Sequence, residues 1–242
     1  MLRTTFIALC SLTVLAACED HRDHAEDGEQ SSGSSEAQDE DSEGEEGASE
    51  TGDDGDGESS SGSDAGGSSV TPLVLAFRSE LVQFNTAVAA SFDLTGTMSV
   101  ITDWPTSTTP WLALDRNGNG KIDDGSELFG SATLLASGEA ARNGFVALRE
   151  LDSNADGRID AEDAEWGRLL VWSDVNSDRV STPNELSLAG ARELVAIDLG
   201  YTVDRRCDAR GNCEVERAGF RYHDGRGQEL RGTVIDVHLR LR

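Results

Sequence analysis

The sequence predicts an α+β domain: a helical middle that carries three acidic loops, flanked by antiparallel β-strands and preceded by a disordered acidic linker. Three observations lead there. Apolar residues fall in short strand-like runs at both ends of the region 70–242, they recur at helical spacing through its middle, and residues 19–69 contain almost nothing apolar.

The first eighteen residues, MLRTTFIALCSLTVLAAC, hold one charge at Arg3, an apolar run from Phe6 to Ala17, and small residues before Cys18. This is the make-up of a secretory signal, too short to span a bilayer. Leu15, Ala16, Ala17 and Cys18 resemble the bacterial lipobox. The resemblance implies that Cys18 is lipidated, that residues 1–18 are removed up to that cysteine, and that the exported protein reaches the membrane of the cell envelope through an N-terminal lipid anchor. The plainer alternative is an ordinary signal whose cysteine is accidental.

Residues 19–69 carry nineteen acidic residues against the single Arg22, a net charge of −18 out of the chain's −26. So little apolar surface cannot offset the entropy of ordering, and the segment reads as a disordered tether. Loose gathering of calcium is a second role for such a run, but a soluble spacer is the simpler one. Acidity on this scale excludes nucleic acid as a partner.

Residues 70–242 are enough for one domain with a core. Its balance is milder, 27 acidic residues against 18 basic, and Lys121 is the chain's only lysine. From residue 73 to 101 the runs LVLAF, LVQF, VAASFDL and MSVI read as strands. Pro105 and Pro110 then exclude a helix. In NGFVALRELD, the residues Phe145, Leu148 and Leu151 share a helical face behind a cap at Asn143. AEDAEWGRLLVW places Trp166, Leu169 and Leu170 at helical spacing, and NELSLAGARELV does so with Leu186, Leu188 and Leu194. Beyond Val195 the segments ELVAIDLGYTV, CEVERAGFRYHD and ELRGTVIDVHLRLR return to strand character. The last sets Val234, Asp236, His238 and Arg240 against Ile235, Val237, Leu239 and Leu241, which predicts one wet face. Cys207 and Cys213 flank a turn around Gly211 and read as a disulfide closing a hairpin, since a metal pair would lack two further ligands.

The loops of the middle carry the chemistry. Calcium takes six to eight oxygens, supplied in a twelve-residue loop by side chains at positions 1, 3 and 5, a carbonyl at 7, position 9, and a carboxylate at 12, with glycine at 6 for the turn. Residues 152–163 offer Asp152, Asn154, Asp156, the carbonyl of Arg158, Asp160 and Asp163, around Gly157. Residues 174–185 offer Asp174, Asn176, Asp178, the carbonyl of Val180 and Glu185, but Arg179 stands where glycine is wanted. A positive φ there costs about 1 kcal/mol and weakens the site. Residues 115–127 offer Asp115, Asn117, Asn119, the carbonyl of Lys121 and Asp123. Here Gly125 reads as an insertion, so that Glu127, or Asp124 in its place, brings the last carboxylate. In each case a polar turn is the bland alternative. Three such loops in so short a stretch favour Ca2+, and residues 164–173 read as one short helix leading from the second loop into the third.

The segments LALDRNGNGKIDDGSELFG, GFVALRELDSNADGRIDAED, LLVWSDVNSDRVSTPNEL and VAIDLGY resemble the EF-hand-like calcium domain of bacterial exported proteins. The likeness runs from Trp111 to Tyr201. It implies a helical EF-hand-like core, calcium ions at the positions named, and no catalytic residues.

Recognisable catalytic motifs are not present: there is no HExxH, no GxSxG and no phosphate-cradling glycine loop, and His223 and His238 lack a partner at motif spacing. The expectation is a non-enzymatic, calcium-stabilised binding domain, docking an unknown protein or glycan. The runner-up is an exported hydrolase with structural calcium; for Trp104, Trp111, Trp166 and Trp172 core packing is the default on apolar faces, with a sugar groove as the alternative.

Overall fold

The structure is a computed structural model that describes residues 69–78, 81–86 and 90–242. The signal segment with Cys18 and the acidic tether, but for its last residue, lie outside the described residues, as do residues 88–89 of the run VAASFDL.

Strand-forming residues dominate what is described. In chain order the strands are β1 (Ser69–Val70), β2 (Leu73–Ala76), β3 (Phe84–Asn85), β4 (Trp104–Pro105), β5 (Trp111–Leu114), β6 (Arg158–Asp160), β7 (Leu169–Trp172), β8 (Leu186–Leu188), β9 (Leu194–Asp198), β10 (Thr202–Cys207), β11 (Cys213–His223) and β12 (Glu229–Arg240). One α-helix, α1 (Gly144–Arg149), follows β5. Ten strands form one antiparallel sheet in the order β6-β9-β11-β12-β2-β5-β7-β8, with β1 beside β12 and β10 beside β11, while β3 and β4 pair separately.

The helical core is therefore corrected to a mostly β, sandwich-like fold. Asn143 does cap α1, its side chain accepting from the Val146 N–H. The two other expected helices are strands interrupted by short 3-10 turns: Trp166–Arg168 leads into β7, and Gly190–Arg192 lies between β8 and β9. An EF-hand needs a helix on each side of its loop. Here the first loop follows β5, the third runs between β7 and β8, and only the second is entered from a helix. No helix joins the second loop to the third, because 164–173 is a 3-10 turn and a strand. The apolar spacing of these segments suits a helix and a strand alike, and neighbouring strands rather than local spacing decide their state.

Both faces of the sheet are buried, which explains the ambiguous pattern. On β2, Leu73 and Leu75 join one apolar cluster with Leu112, Leu114, Phe145, Leu148 and Phe220, while Val74 and Ala76 join the other with Trp104, Trp111, Trp172, Ile235 and Val237. The wet face expected of β12 is corrected for the same reason: Val234 and Asp236 are both fully buried. Trp104 packs against Trp111, Trp172 and Phe92 with ring centroids 4.8, 5.6 and 5.5 Å away, so these three tryptophans are core and line no groove. Phe145 of α1 stacks on Tyr201 at 4.9 Å.

The disulfide Cys207–Cys213 closes the β10–β11 hairpin, whose tip places Gly211 at φ 90°. Beside that tip the buried Asp103 accepts hydrogen bonds from Arg210 Nε at 2.6 Å, Arg242 at 2.8 Å and Asn212 Nδ2 at 2.8 Å. The Arg210 hydrogen bond, with help from Asn212 and Arg242, holds the Asp103 carboxyl below the usual range against the opposing effect of burial. Among the described residues no helix is long and apolar enough to cross a membrane.

Two outcomes are expected. Phe145→Ala, by opening a cavity under α1, should cost about 3–5 kcal/mol in urea unfolding. Asp103→Asn should lower the melting temperature at pH 7. Since the folded value of Asp103 lies below the unfolded one, its contribution is present above the unfolded value and is lost as pH falls through the folded one, so the gap between parent and variant should close below pH of about 3.9.

Candidate functional site: three acidic loops and a buried carboxylate cluster

Each acidic loop is built on the same internal bracing. A buried carboxylate at its end bridges the backbone N–H of its second residue and of its ninth. In the first loop, Glu127 Oε1 accepts from Arg116 N–H at 3.1 Å and Oε2 from Asp123 N–H at 2.7 Å. In the second, Asp163 accepts from Ser153 N–H at 2.8 Å and Asp160 N–H at 2.9 Å. In the third, Glu185 accepts from Val175 N–H at 3.0 Å and Thr182 N–H at 3.2 Å. Two N–H donors hold both oxygens of each acid and point it inward.

The leading aspartates do the same for the front of each loop. Asp115 accepts from Gly118, Asn119 and Gly120 N–H, Asp152 from Asp156 and Gly157 N–H, and Asp174 from Arg179 N–H. The backbone matches too. The fourth and sixth residues have positive φ in every loop: Gly118 and Gly120 at 74° and 81°, Ala155 and Gly157 at 58° and 83°, Ser177 and Arg179 at 58° and 63°. Both positions are non-glycine in the third loop, one is in the second and neither in the first, which makes the third loop the most strained.

The insertion in the first loop is visible as a 3-10 turn over Gly125–Glu127. Asp124 caps it, accepting from the Ser126 N–H at 2.8 Å, so Glu127 rather than Asp124 takes the bridging place. Gly125 is required: a Cβ there would stand 2.1 Å from the Leu94 carbonyl oxygen.

The remaining predicted side chains are exposed or half-buried and close upon one another. Asn119 Nδ2 donates to Asp123 at 2.5 Å, Asn176 Nδ2 to Asp178 at 2.7 Å, and Arg158 pairs with Asp156 at 2.9 Å. Asn117 and Asn154 accept from the backbone N–H of Asn119 and Asp156. Lys121, Arg158 and Val180 keep exposed side chains, which leaves only their carbonyls relevant.

The third loop gathers its acids most tightly. One carboxylate oxygen from each of Asp174, Asp178 and Glu185 lies within 4.8 Å of the other two. Asp174 is 2% exposed and its Oδ1 has no hydrogen-bond partner. Burial pushes the Asp174 carboxyl upward, with Glu185 adding to the effect against the hydrogen bond from Arg179. Burial likewise raises Glu127, outweighing the N–H bonds it receives.

Arg179 explains why glycine is missing from this loop. Its buried guanidinium donates to the Thr102 carbonyl at 2.7 Å and sits 5.1 Å from the centroid of Trp104, anchoring the loop to the aromatic core. A glycine would relax the backbone but give up that anchor. The first and third loops are also joined directly. Ser181 Oγ accepts from Ile122 N–H at 2.7 Å and donates to the Ile122 carbonyl at 3.2 Å, each residue being the eighth of its loop.

Sequence reading missed a second cluster. Glu216 of β11 and Asp236 and His238 of β12 bring one ligand atom each within 4.8 Å of one another. His238 Nε2 lies 3.1 Å from Glu216 Oε2. Asp236 accepts from the Gly144 N–H of α1 at 2.5 Å, and its burial pushes the carboxyl well above the usual range despite that bond. The available signal was the Asp-x-His pair on one side of a strand, hidden by the assumption that this side faced water.

Residues 73–239 match the SPM domain family. Over 144 residues, 58% of the chain, the sequence is 40% identical to the Iron-regulated protein FrpA of Neisseria meningitidis serogroup C. The aligned stretch covers 13% of that protein's length. The EF-hand-like resemblance is corrected accordingly: the loops are braced by strands and turns of an SPM fold.

Gly125→Ala should cost about 3 kcal/mol, the upper end for overpacking, because its obstacle is backbone. Urea unfolding of the full chain checks this, with Gly118→Ala, where no atom crowds the Cβ, as the control that isolates the φ penalty.

Proposed function

The chain belongs to the SPM domain family, and on that premise we propose that it is a calcium-binding domain on an exported, lipid-anchored protein of the bacterial envelope. The observation that carries this reading is the third loop, where three acids converge and a buried Asp174 oxygen is left without a donor. A lone buried carboxylate oxygen is costly unless something positive meets it. The donor set is all oxygen, which suits a hard cation that takes six to eight ligands at about 2.3–2.6 Å.

The protein's own part is orientation. Glu127, Asp163 and Glu185 are each pinned by two N–H groups, Asp115, Asp152 and Asp174 hold the front of each loop, and Asn117, Asn119, Asn154, Asp156, Asn176 and Asp178 would supply the remaining side-chain oxygens. The carbonyls of Lys121, Arg158 and Val180, and the side chains of Asp123 and Asp160, complete the sets. Bound calcium supplies charge neutralisation among carboxylates that otherwise repel. Ordering of the loops is then folding free energy, about 2.7 kcal/mol per site at a hundredfold excess over Kd. Extracellular modules bind in the range of about 0.1–1 mM, which fits a domain stiffened outside the cell better than a sensor of trace calcium.

In this reading the domain is a binding module, not an enzyme. It is held by a lipid on Cys18, spaced from the membrane by residues 19–69, and presents a protein- or glycan-docking surface once its loops are ordered.

Calorimetric titration of calcium into the full chain should show saturable binding in the millimolar range, and the melting temperature should fall in excess chelator. Glu185→Gln combined with Asp174→Asn should remove about one bound ion. A melting curve indifferent to both calcium and chelator would refute the reading.

A further inference from the structure

We propose that Glu216, Asp236 and His238 form a second metal site, distinct from the acidic loops and built for a divalent transition cation such as Zn2+. The three side chains come from adjacent strands. β11 and β12 pair in register from Cys213 opposite His238 to His223 opposite Glu229, with a bulge between Glu214 and Arg217. Glu216 falls in that bulge, and Asp236 and His238 are two apart on β12, so the sheet itself directs all three to one side.

A group of acids alone would mean little. Here a separate observation points to a ligand: Asp236 is 0% exposed and its Oδ1 has no hydrogen-bond partner, although Oδ2 is satisfied by Gly144. The placement of that donor is also forced. A Cβ at Gly144 would stand 2.5 Å from the Phe129 carbonyl oxygen and 2.6 Å from Leu73, so only glycine lets α1 descend far enough to reach Asp236. The fold thus orients a buried carboxylate through one oxygen and leaves the other uncommitted.

The donor types select the ion. An imidazole nitrogen with two carboxylates suits Zn2+ and its neighbours, whereas calcium prefers oxygen alone. Donors around a tetrahedral Zn2+ at about 2.0–2.2 Å lie about 3.3–3.6 Å apart. The 3.1 Å between His238 Nε2 and Glu216 Oε2 is close to that separation. The site also has a way in, since the side chains of His238 and Glu216 are 21% and 12% exposed. Three protein donors leave a further coordination position on that open side, to be filled by water or by a partner's donor. Two negative charges balance the dication, which makes the buried arrangement neutral.

The inference does not rest on the calcium reading, and its test keeps the two apart. The full chain, stripped of metal and then held in 5 mM Ca2+ (about fivefold above the weakest Kd expected of the loops), is titrated with Zn2+ by calorimetry, and its melting temperature is followed. One Zn2+ per chain with micromolar affinity and a rise in melting temperature are expected, with calcium failing to compete. His238→Asn and Glu216→Gln, changes at the accessible side, should each weaken Zn2+ at least tenfold while leaving calcium binding intact. Asp236→Asn should do the same, and the two accessible-side variants decide the matter if it does not fold. His21→Ala with His24→Ala should leave the binding unchanged. Zn2+ binding that survives His238→Asn, is lost on removing His21 and His24, or does not occur at all would overturn the proposal.

Discussion

The bridging carboxylate is the constraint from which the loops take their shape. Glu127, Asp163 and Glu185 each receive backbone N–H groups from both halves of their own loop. Each is also buried. A carboxylate so placed cannot turn away to solvent without leaving donors unpaired, so it fixes how the chain bends between them. The positive φ values at the fourth and sixth residues follow from that bend, and so does the inward direction of the leading aspartate. Chemical variety is tolerated around it. A shorter acid serves in the second loop, an extra residue is absorbed in the first, and an arginine replaces glycine in the third.

The sheet supplies the rigidity on which this bracing depends. β5 and β7 pair from Trp111 opposite Trp172 to Leu114 opposite Leu169, and their ends launch the first and third loops. Because alternate residues of these strands enter different apolar clusters, a slip of register would exchange the contents of both layers. The first and third loops thus spring from paired strands buried on both faces. The same burial on both sides brings Asp236 into an apolar setting, where a carboxylate is placed only at a cost.

Much of the site was legible and much of the fold was not, for one physical reason. Loop chemistry is local: oxygens at fixed spacing, and a glycine where φ turns positive, are written within a dozen residues. The insertion at Gly125 and the backbone demand on Arg179 could be read that way. Strand pairing is not local. Trp166, Leu169 and Leu170 match a helical face and β7 equally well, and what decides is that Leu169 to Trp172 meet β5 and β8. Asn143 and Phe145 did mark a true helix, because a capping side chain acts on the next turn alone. His238 and Asp236 were misjudged because solvent exposure depends on what lies above the sheet.

The hydroxyl of Ser181, shared between both backbone groups of Ile122, gives the two loops a common hinge. Restraining one of them reduces the freedom the other still has to surrender, so the second ordering event starts from a smaller entropic debt. Two loops far apart in sequence thereby share one hydrogen-bonded junction, while the second loop is tied instead to β9 through β6.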